Sequence, residues 1–493
     1  MKYLNLSSYP QLHGTLFEET QLAQVLGDGI TFVDAVPNRD PELILARYLA
    51  EKDQVNFNHL SFITEEFTLP NQIYPPILIA KETPLSMYEY ISKLWHHLYR
   101  KQTTPVAKHD TFIPLPHSYI VPGGRFRSIY YWDSYFTALG LVRDGLTGIV
   151  IEMCDNFVHL LEEIGYIPNG NRVYLASRSQ PPFFALMVQL LADYGHKDLI
   201  PQYLPYIEKE YEYWMSKEFG HAVTGNGATL NRYYDQLDTP RPESHKEDVE
   251  LAKGLSSEER PAFYRHIRSA AESGWDFSSR WCKIPGDLRT IYATDILPVD
   301  LNCLIAMMEE RMGRWFSLVG QSEKSAFYTK KAASRKESIL RIFWSAEQNF
   351  FMDYDLSAKK HTPCFSLAAT LPLFAGIATP DQARIIAEKL NQDFLKRGGL
   401  VTTLNTTKEQ WDSPNGWAPL QYFAYIGLKN YGFAELADEI ARRFTQTCLD
   451  LYKETGTIFE KYNVVDELQI ADGGEYSVQT GFGWTNGVLM ALR

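Results

Sequence analysis

Trp-Asp occurs three times, as Trp132-Asp133, Trp275-Asp276 and Trp411-Asp412, in stretches that also carry Gly or Pro. A tryptophan offers a flat apolar face to the C–H side of a pyranose ring, and a carboxylate accepts from two neighbouring hydroxyls. The same residues can serve the fold alone, the indole as core and the Asp as a helix cap. Their repetition in loops is what points towards a sugar site. Three arginines stand in similar loops: Arg125 in PGGRF, Arg178 in SRSQPP and Arg241 in DTPRPES. Their rigid donor fork suits vicinal hydroxyls, carboxylates and phosphate alike. Turn-rich segments also hold Asp133, Glu243, Asp276, Asp412, Glu460 and Glu475. Glycoside hydrolysis needs one carboxylic acid to protonate the leaving oxygen and one carboxylate to activate water or attack the anomeric carbon. Residue type and spacing do not choose that pair.

Other chemistries lack their marks. The chain has no HExxH, no GxSxG, no phosphate loop of the GxxxxGK[ST] type and no EF-hand spacing. His96 and His97 are neighbours in an amphipathic stretch and point in different directions, so no metal site is expected. The net charge of -12 opposes nucleic acid and anionic membrane surfaces as partners. The five cysteines are an odd number without CxxC spacing, which argues against a disulfide framework or a zinc ribbon.

Helices must position these loops. Met87, Ile91, Leu94 and Leu98 line one helical face, as do Val150, Cys154, Phe157, Leu161 and Ile164, and Phe433, Leu436, Ile440, Phe444, Cys448 and Leu451. Similar patterns near 181–195, 202–216, 259–271, 318–341, 380–396 and 417–430 make the chain all-α, with short alternating runs only at 349–356 and 400–404. Residues 121–135, 165–182, 224–244, 272–285, 410–419 and 471–487 read as loops. At 45% hydrophobic and 22% charged, the composition is that of an ordinary folded chain. The 10 Trp, 30 Tyr and 27 Phe together outnumber the 60 acidic residues, which suggests a generous core or a site for flat apolar faces. The opening MKYLNLSSYPQLHG has no apolar stretch of signal type, and the longest apolar run, 183–192, is too short to span a bilayer. A cytoplasmic protein is therefore expected.

Read together, the motifs are similar to those of a known family. PGGRFRSIYYWDSY at 122–135 and QWDSPNGWAP at 410–419 resemble the two signatures of the inverting trehalases, glycoside hydrolase family 37. IPNGNRVYLASRSQPPFF at 167–184, RPES at 241–244, SGWDFSSRW at 273–281, EKY at 460–462 and GGEYSVQTGFGWTNGV at 473–488 resemble the same family in the same order. The likeness runs from about residue 12 to the C-terminus. It implies an (α/α)6 toroid, two concentric rings of six helices around a pocket, and hydrolysis of α,α-trehalose with inversion. It further implies Asp276 as general acid and Glu460 as general base. Arg125, Trp132, Asp133, Asn169, Arg178, Ser179, Gln180, Arg241, Pro242, Glu243 and Gly274 match sugar-contacting positions, and Glu475 matches a substrate-binding Glu on a glycine-rich lid. No cofactor or metal is required, and the expected partner is the sugar alone, with the protein a monomer.

Length alone would suggest about three domains. Site residues spread from Arg125 to Glu475 must nevertheless meet in one pocket, so one toroid over 81–493 with an N-terminal extension, 1–80, wrapping it is expected. Three departures from the family pattern stand out. Ser128 replaces a Glu, Asn463 replaces the Asp that follows EKY, and the lid has only Gly473 and Gly474 before GGEY's Glu. Other readings are another (α/α)6 glycosidase or a disaccharide phosphorylase, or a trehalose-binding relative without turnover.

Overall fold

A computed structural model describes residues 5–70, 85–101, 107–225, 228–466 and 469–493. Twelve helical positions form two concentric rings. The outer helices are Met87–Leu98, Thr147–Ile164, Ile200–Met215, Ser322–Phe343, Pro380–Lys389 and Ala434–Thr455. The inner ones are Tyr131–Arg143, Phe184–Asp193, Val299–Leu318, Leu371–Phe374 with the 3-10 turn before it, Ala418–Asn430 and Gly483–Leu492. Each inner helix touches the next in this order, and Gly483–Leu492 returns to Tyr131–Arg143, so the ring closes. This is the (α/α)6 toroid. Its strands are two to four residues long and serve as clips; one pairs Asn415–Trp417 with Lys461–Asn463, setting Trp417 opposite Lys461.

The outer helices form where apolar stripes predict them. The Met87–Leu98 helix starts on a Ser86/Glu89 capping box and buries Met87, Ile91, Leu94 and Leu98. In the inner ring, Phe184–Asp193 and Ala418–Asn430 fall where helical patterns predict them, and the others differ from expectation. Tyr131–Arg143 and Gly483–Leu492 begin inside stretches read as loops, and Val299–Leu318 has no predicted counterpart. Every residue from Tyr131 to Val142 is buried, because an inner helix packs on the outer ring at its back and on its inner neighbours at its sides. Such a helix has no polar face and hence no stripe.

The N-terminal helices Thr15–Leu22 and Ile30–Val33 pack against the loops of the toroid. Gln21 Nε2 donates to the carbonyls of Gly29 (2.8 Å) and Pro242 (2.7 Å). Gly29 lies so close to the Glu243 carbonyl that a Cβ would sit 2.2 Å from it. The expected boundary near residue 80 falls outside the described residues. The five cysteines are buried and unpaired, and among the described residues no helix is long and apolar enough to cross a membrane.

Ring closure depends on two glycines. A Cβ on Gly487 would meet the Phe136 carbonyl oxygen at 1.9 Å, and one on Gly140 would meet Gly487 Cα at 2.8 Å. The backbones of the first and last inner helices thus touch where any side chain would part them. Gly487→Ala should cost about 1–3 kcal/mol or more by overpacking. The exposed control Gly148→Ala has nothing within 4 Å of its new methyl. It should change stability by no more than about 1 kcal/mol in either direction. Denaturant unfolding of both variants checks this; equal midpoints would contradict the closure argument.

Candidate active site

The loops at the N-terminal ends of the inner helices converge on one pocket. Its empty space, open mouth included, is about 770 Å3. Trp132 and Asp133 enter it from the first turn of Tyr131–Arg143, and Trp484 from the first turn of Gly483–Leu492. Trp417 is the residue on which Ala418–Asn430 starts. Asn169, Arg178 and Gln180 come from the loop before Phe184–Asp193, and Gly274 and Asp276 from the turn after helix Arg260–Glu272. Arg125, Arg241, Glu243, Glu460 and Glu475 complete the expected residues that line the wall. Ser179 and Pro242 do not line it. The Ser179 N–H donates to Glu272 Oε1 (2.9 Å) and its hydroxyl to the Ile167 carbonyl (2.6 Å), so it shapes the loop that carries Arg178 and Gln180.

Tryptophans pave one side. Trp411 stacks on Trp417 at 3.9 Å and 3°, and on Trp275 at 5.3 Å and 16°, while Trp132 and Trp484 meet it obliquely. Arg280 lies 4.5 Å over both Trp275 and Trp281 and is held by Asp300 and Asp353. Gly274 has φ +77°, and a Cβ there would stand 2.6 Å from the Trp132 indole, so only glycine lets the turn carrying Asp276 close on this ring. The Asp of the third Trp-Asp pair serves the fold. Asp412 accepts from Ser279 N (2.9 Å), Ser278 Oγ (2.9 Å), Thr403 Oγ1 (2.8 Å) and Thr407 Oγ1 (2.6 Å), pinning the 3-10 turn after Asp276 without entering the pocket.

The carboxyls of the pocket differ in charge. Burial pushes Asp276 up to about 7, with Glu475 adding to the effect and Arg241 opposing it. Burial also raises Glu460, against the pull of Lys461 and of Tyr476, whose hydroxyl donates to Glu460 Oε1 at 2.9 Å. Glu460 Oε2 has no hydrogen-bond partner within the protein among the described residues and lies 3.8 Å from Lys461 Nζ. Asp133 is raised well above the usual range by burial, and Glu460 and Asp276 add to this. Glu243 goes the other way: burial would raise it, but Arg178, 2.7 Å away, with Arg241 and Arg268, holds it below the ordinary value. Arg241 donates to Asp248 (2.6 Å) and to Glu475 (2.6 Å), and Ser244 Oγ also donates to Glu475 (3.1 Å).

Several lining residues were not among those expected: Ile30, Phe126, Tyr130, Leu175, Ser244 and Tyr476. Tyr476 adjoins Glu475 in a recognised motif, and Arg125 lies 4.9 Å over its ring. Nothing in its residue type marked its contact with Glu460. Ile30, from the N-terminal extension, had no signal. Beyond Glu475 the pocket continues into a polar vestibule whose wall includes Gln24, Asp28, Glu247 and Gln479; the two spaces share Arg125, Glu243, Ser244, Glu475 and Tyr476.

The departures from the family pattern have local compensations. Ser128 Oγ accepts from Arg172 Nε (3.1 Å), and Arg172 finds its carboxylates instead at Asp34 (3.2 Å) and Asp110 (3.3 Å). Asn463 Oδ1 accepts from Val465 N (3.0 Å) and Asp466 N (2.8 Å), turning the chain out of the strand beside the pocket. Gly473 and Gly474 both have positive φ and lie against Lys408 and Gln410, where a side chain on either would collide.

The trehalase family model matches residues 24–492. The chain belongs to the trehalase family. The periplasmic trehalase of Salmonella paratyphi B is 44% identical, covering 98% of this chain and 85% of the relative, and that of Salmonella choleraesuis is equally similar. The neutral trehalase of Saccharomyces cerevisiae superposes with a TM-score of 0.65 at 28% identity, over 76% of this chain and 73% of that one. A mannosylglycerate hydrolase of Thermus thermophilus, at 15% identity and a TM-score of 0.55, covers 82% of this chain and 99% of its own and shares the fold. Membership makes the protein a glycoside hydrolase and trehalose hydrolysis its reaction. The expected cytoplasmic location is corrected: these relatives carry names that place them in the periplasm. That expectation rested on the lack of an apolar stretch near residue 1, and such a lack carries no address.

The raised Asp276 has a consequence for stability. Its folded value near 7 lies above that of an unfolded aspartate, so its contribution is fully present at low pH and is lost as pH rises through 7. Asp276→Asn, which cannot ionise, should therefore gain stability relative to the parent between pH 5 and pH 8. Melting curves across that range test it; a difference that stays constant with pH would count against a buried, neutral Asp276.

Proposed function

We propose that the protein cleaves α,α-trehalose by a single inverting displacement, with Asp276 as general acid and Glu460 as general base. The observation that carries this is that two carboxyls lining one pocket have different partners. Asp276 is kept protonated to near neutrality by burial, as a donor to the glycosidic oxygen must be. Glu460 has a lysine and a tyrosine hydroxyl favouring its anion, and its Oε2 is free of protein donors to accept a proton from water. Water then attacks the anomeric carbon on the face opposite the departing sugar, giving one β- and one α-glucose. Inversion needs roughly 6.5–9.5 Å between the two carboxyls to seat that water.

The remaining groups suit a neutral disaccharide. Asp133, kept protonated, can donate to a hydroxyl, while ionised Glu243 and the Arg178 Nε, unbonded within the protein, offer an acceptor and a donor. Trp132, Trp411 and Trp484 supply the apolar side for sugar C–H groups. Residues 1–80 form, in this reading, an extension of the catalytic barrel that contributes Ile30 to the wall. We take the protein to act as a monomer in the periplasm, the location in the names of its relatives.

Asp276→Asn and Glu460→Gln should each lower turnover by about 10^3-fold or more while the circular dichroism stays that of the parent. Near-normal turnover in either would refute that residue's role. Early-time NMR of the glucose formed should show α and β anomers in equal amounts. Only α-glucose would mean retention, and glucose 1-phosphate formed in phosphate buffer would mean a phosphorylase. The alkaline limb of kcat should lie near pH 7, where Asp276 gives up its proton.

A further inference from the structure

Lys461 is fully buried beside the proposed base, and favouring the Glu460 anion accounts for only one of its contacts. Its ammonium has three protons to place. Nζ donates to Gln410 Oε1 at 2.7 Å and to the Gly473 carbonyl at 3.2 Å, and stands 3.8 Å from Glu460 Oε2. The rings of Trp417 and Tyr476 lie 5.3 and 5.4 Å from it. Gln410 carries the connection onward, since its Nε2 donates to the backbone carbonyl of Asp276. The Gln410 backbone is itself fixed, its carbonyl accepting from Trp417 Nε1 (2.9 Å) and Asn415 Nδ2 (3.1 Å). One buried cation thus reaches the base directly, the acid's loop through one amide, and the Gly473 turn through a third contact.

We propose that Lys461 is a positioning residue that, through Gln410, fixes the acid and the base relative to each other and holds Glu460 as an anion. The proposal rests on the assignment of Asp276 and Glu460 made above. Strand pairing explains how the contact arises: Lys461 is in register with Trp417, so the ends of the two motif loops are joined before any substrate arrives. Gln410 is well suited to the link, because its amide accepts from the ammonium with one end and donates to the Asp276 carbonyl with the other. A leucine of similar size could do neither.

The groups facing Glu460 are Lys461, Tyr476, Arg125 and, across the pocket, Asp133; Asp276 and Asp472 face Lys461 itself. Of the favourable charges, Lys461 contributes the most to ionising Glu460. Without it the base protonates at higher pH, and the acid limb of the rate profile moves up.

The test compares Lys461→Met, Lys461→Arg and Gln410→Leu in the full chain, each first checked for a parental circular dichroism spectrum and a cooperative melt. Lys461→Met should lower kcat about 10- to 100-fold, with KM changed far less. Its acid limb should move upward by about one pH unit, and Lys461→Arg should return that limb towards the parent. Gln410→Leu should lower kcat on trehalose with its acid limb in place. On α-glucosyl fluoride the leaving fluoride needs no proton, so the Gln410→Leu defect should shrink and the Lys461→Met defect should persist. An unmoved acid limb in Lys461→Met overturns the role at the base. An equal loss for Gln410→Leu on both substrates overturns the link to the acid. If Lys461→Met does not fold, Lys461→Arg and Gln410→Leu decide alone: parental kcat and pH profile in both sinks the proposal. Full activity in Asp276→Asn or Glu460→Gln would instead remove the assignment beneath it, a separate result.

Discussion

Five carboxyl groups, Asp133, Glu243, Asp276, Glu460 and Glu475, face one pocket, and burial makes each further negative charge there more costly than the last. The surrounding structure distributes that burden. Arg178 and Arg241 keep Glu243 ionised, and Arg241 shares its fork between Asp248 and Glu475. Asp276 and Asp133 receive no such close partner and hold protons. The pocket therefore contains acids and anions at fixed, different places, which is what a reaction that donates a proton at one point and removes one at another requires.

Such a distribution needs walls that do not yield. The stack of Trp417, Trp411 and Trp275 continues through Arg280 to Trp281, and Arg280 is held by two buried aspartates. The ion pairs hold the guanidinium against the indoles, and the indoles exclude water from the ion pairs. Asp412, which accepts from five donors, joins the 3-10 turn after the acid to the segment that bears Gln410. The outer helices contribute nothing to the pocket directly; they hold the inner ring at the radius where its N-terminal loops converge.

The sequence was most legible where water is. Met87, Ile91, Leu94 and Leu98 mark an outer helix because the opposite face is polar, and the structure buries that stripe. Tyr131–Arg143 carries no such contrast, being surrounded, so its first residues read as loop although Trp132 and Asp133 are helical. At the pocket, chemistry in the residue type was visible: Trp132, Asp276 and Arg241 line it. Contacts that depend on register were not. Lys461 reaches Gln410 beside the paired 415–417 and 461–463 strands, and Tyr476 reaches Glu460 from the loop after Glu475; residue types encode neither contact. Asp412 is the reverse case, a residue with the vocabulary of a sugar site that is spent on the backbone. Location was the least legible property, since the address of a protein need not be written in the part that folds.

The vestibule shares Arg125, Glu243, Ser244, Glu475 and Tyr476 with the pocket, one side of which is paved by tryptophan. Glu475, held by Arg241 and Ser244, lines both spaces, so the ion pair that steadies this carboxyl also shapes the wall they have in common.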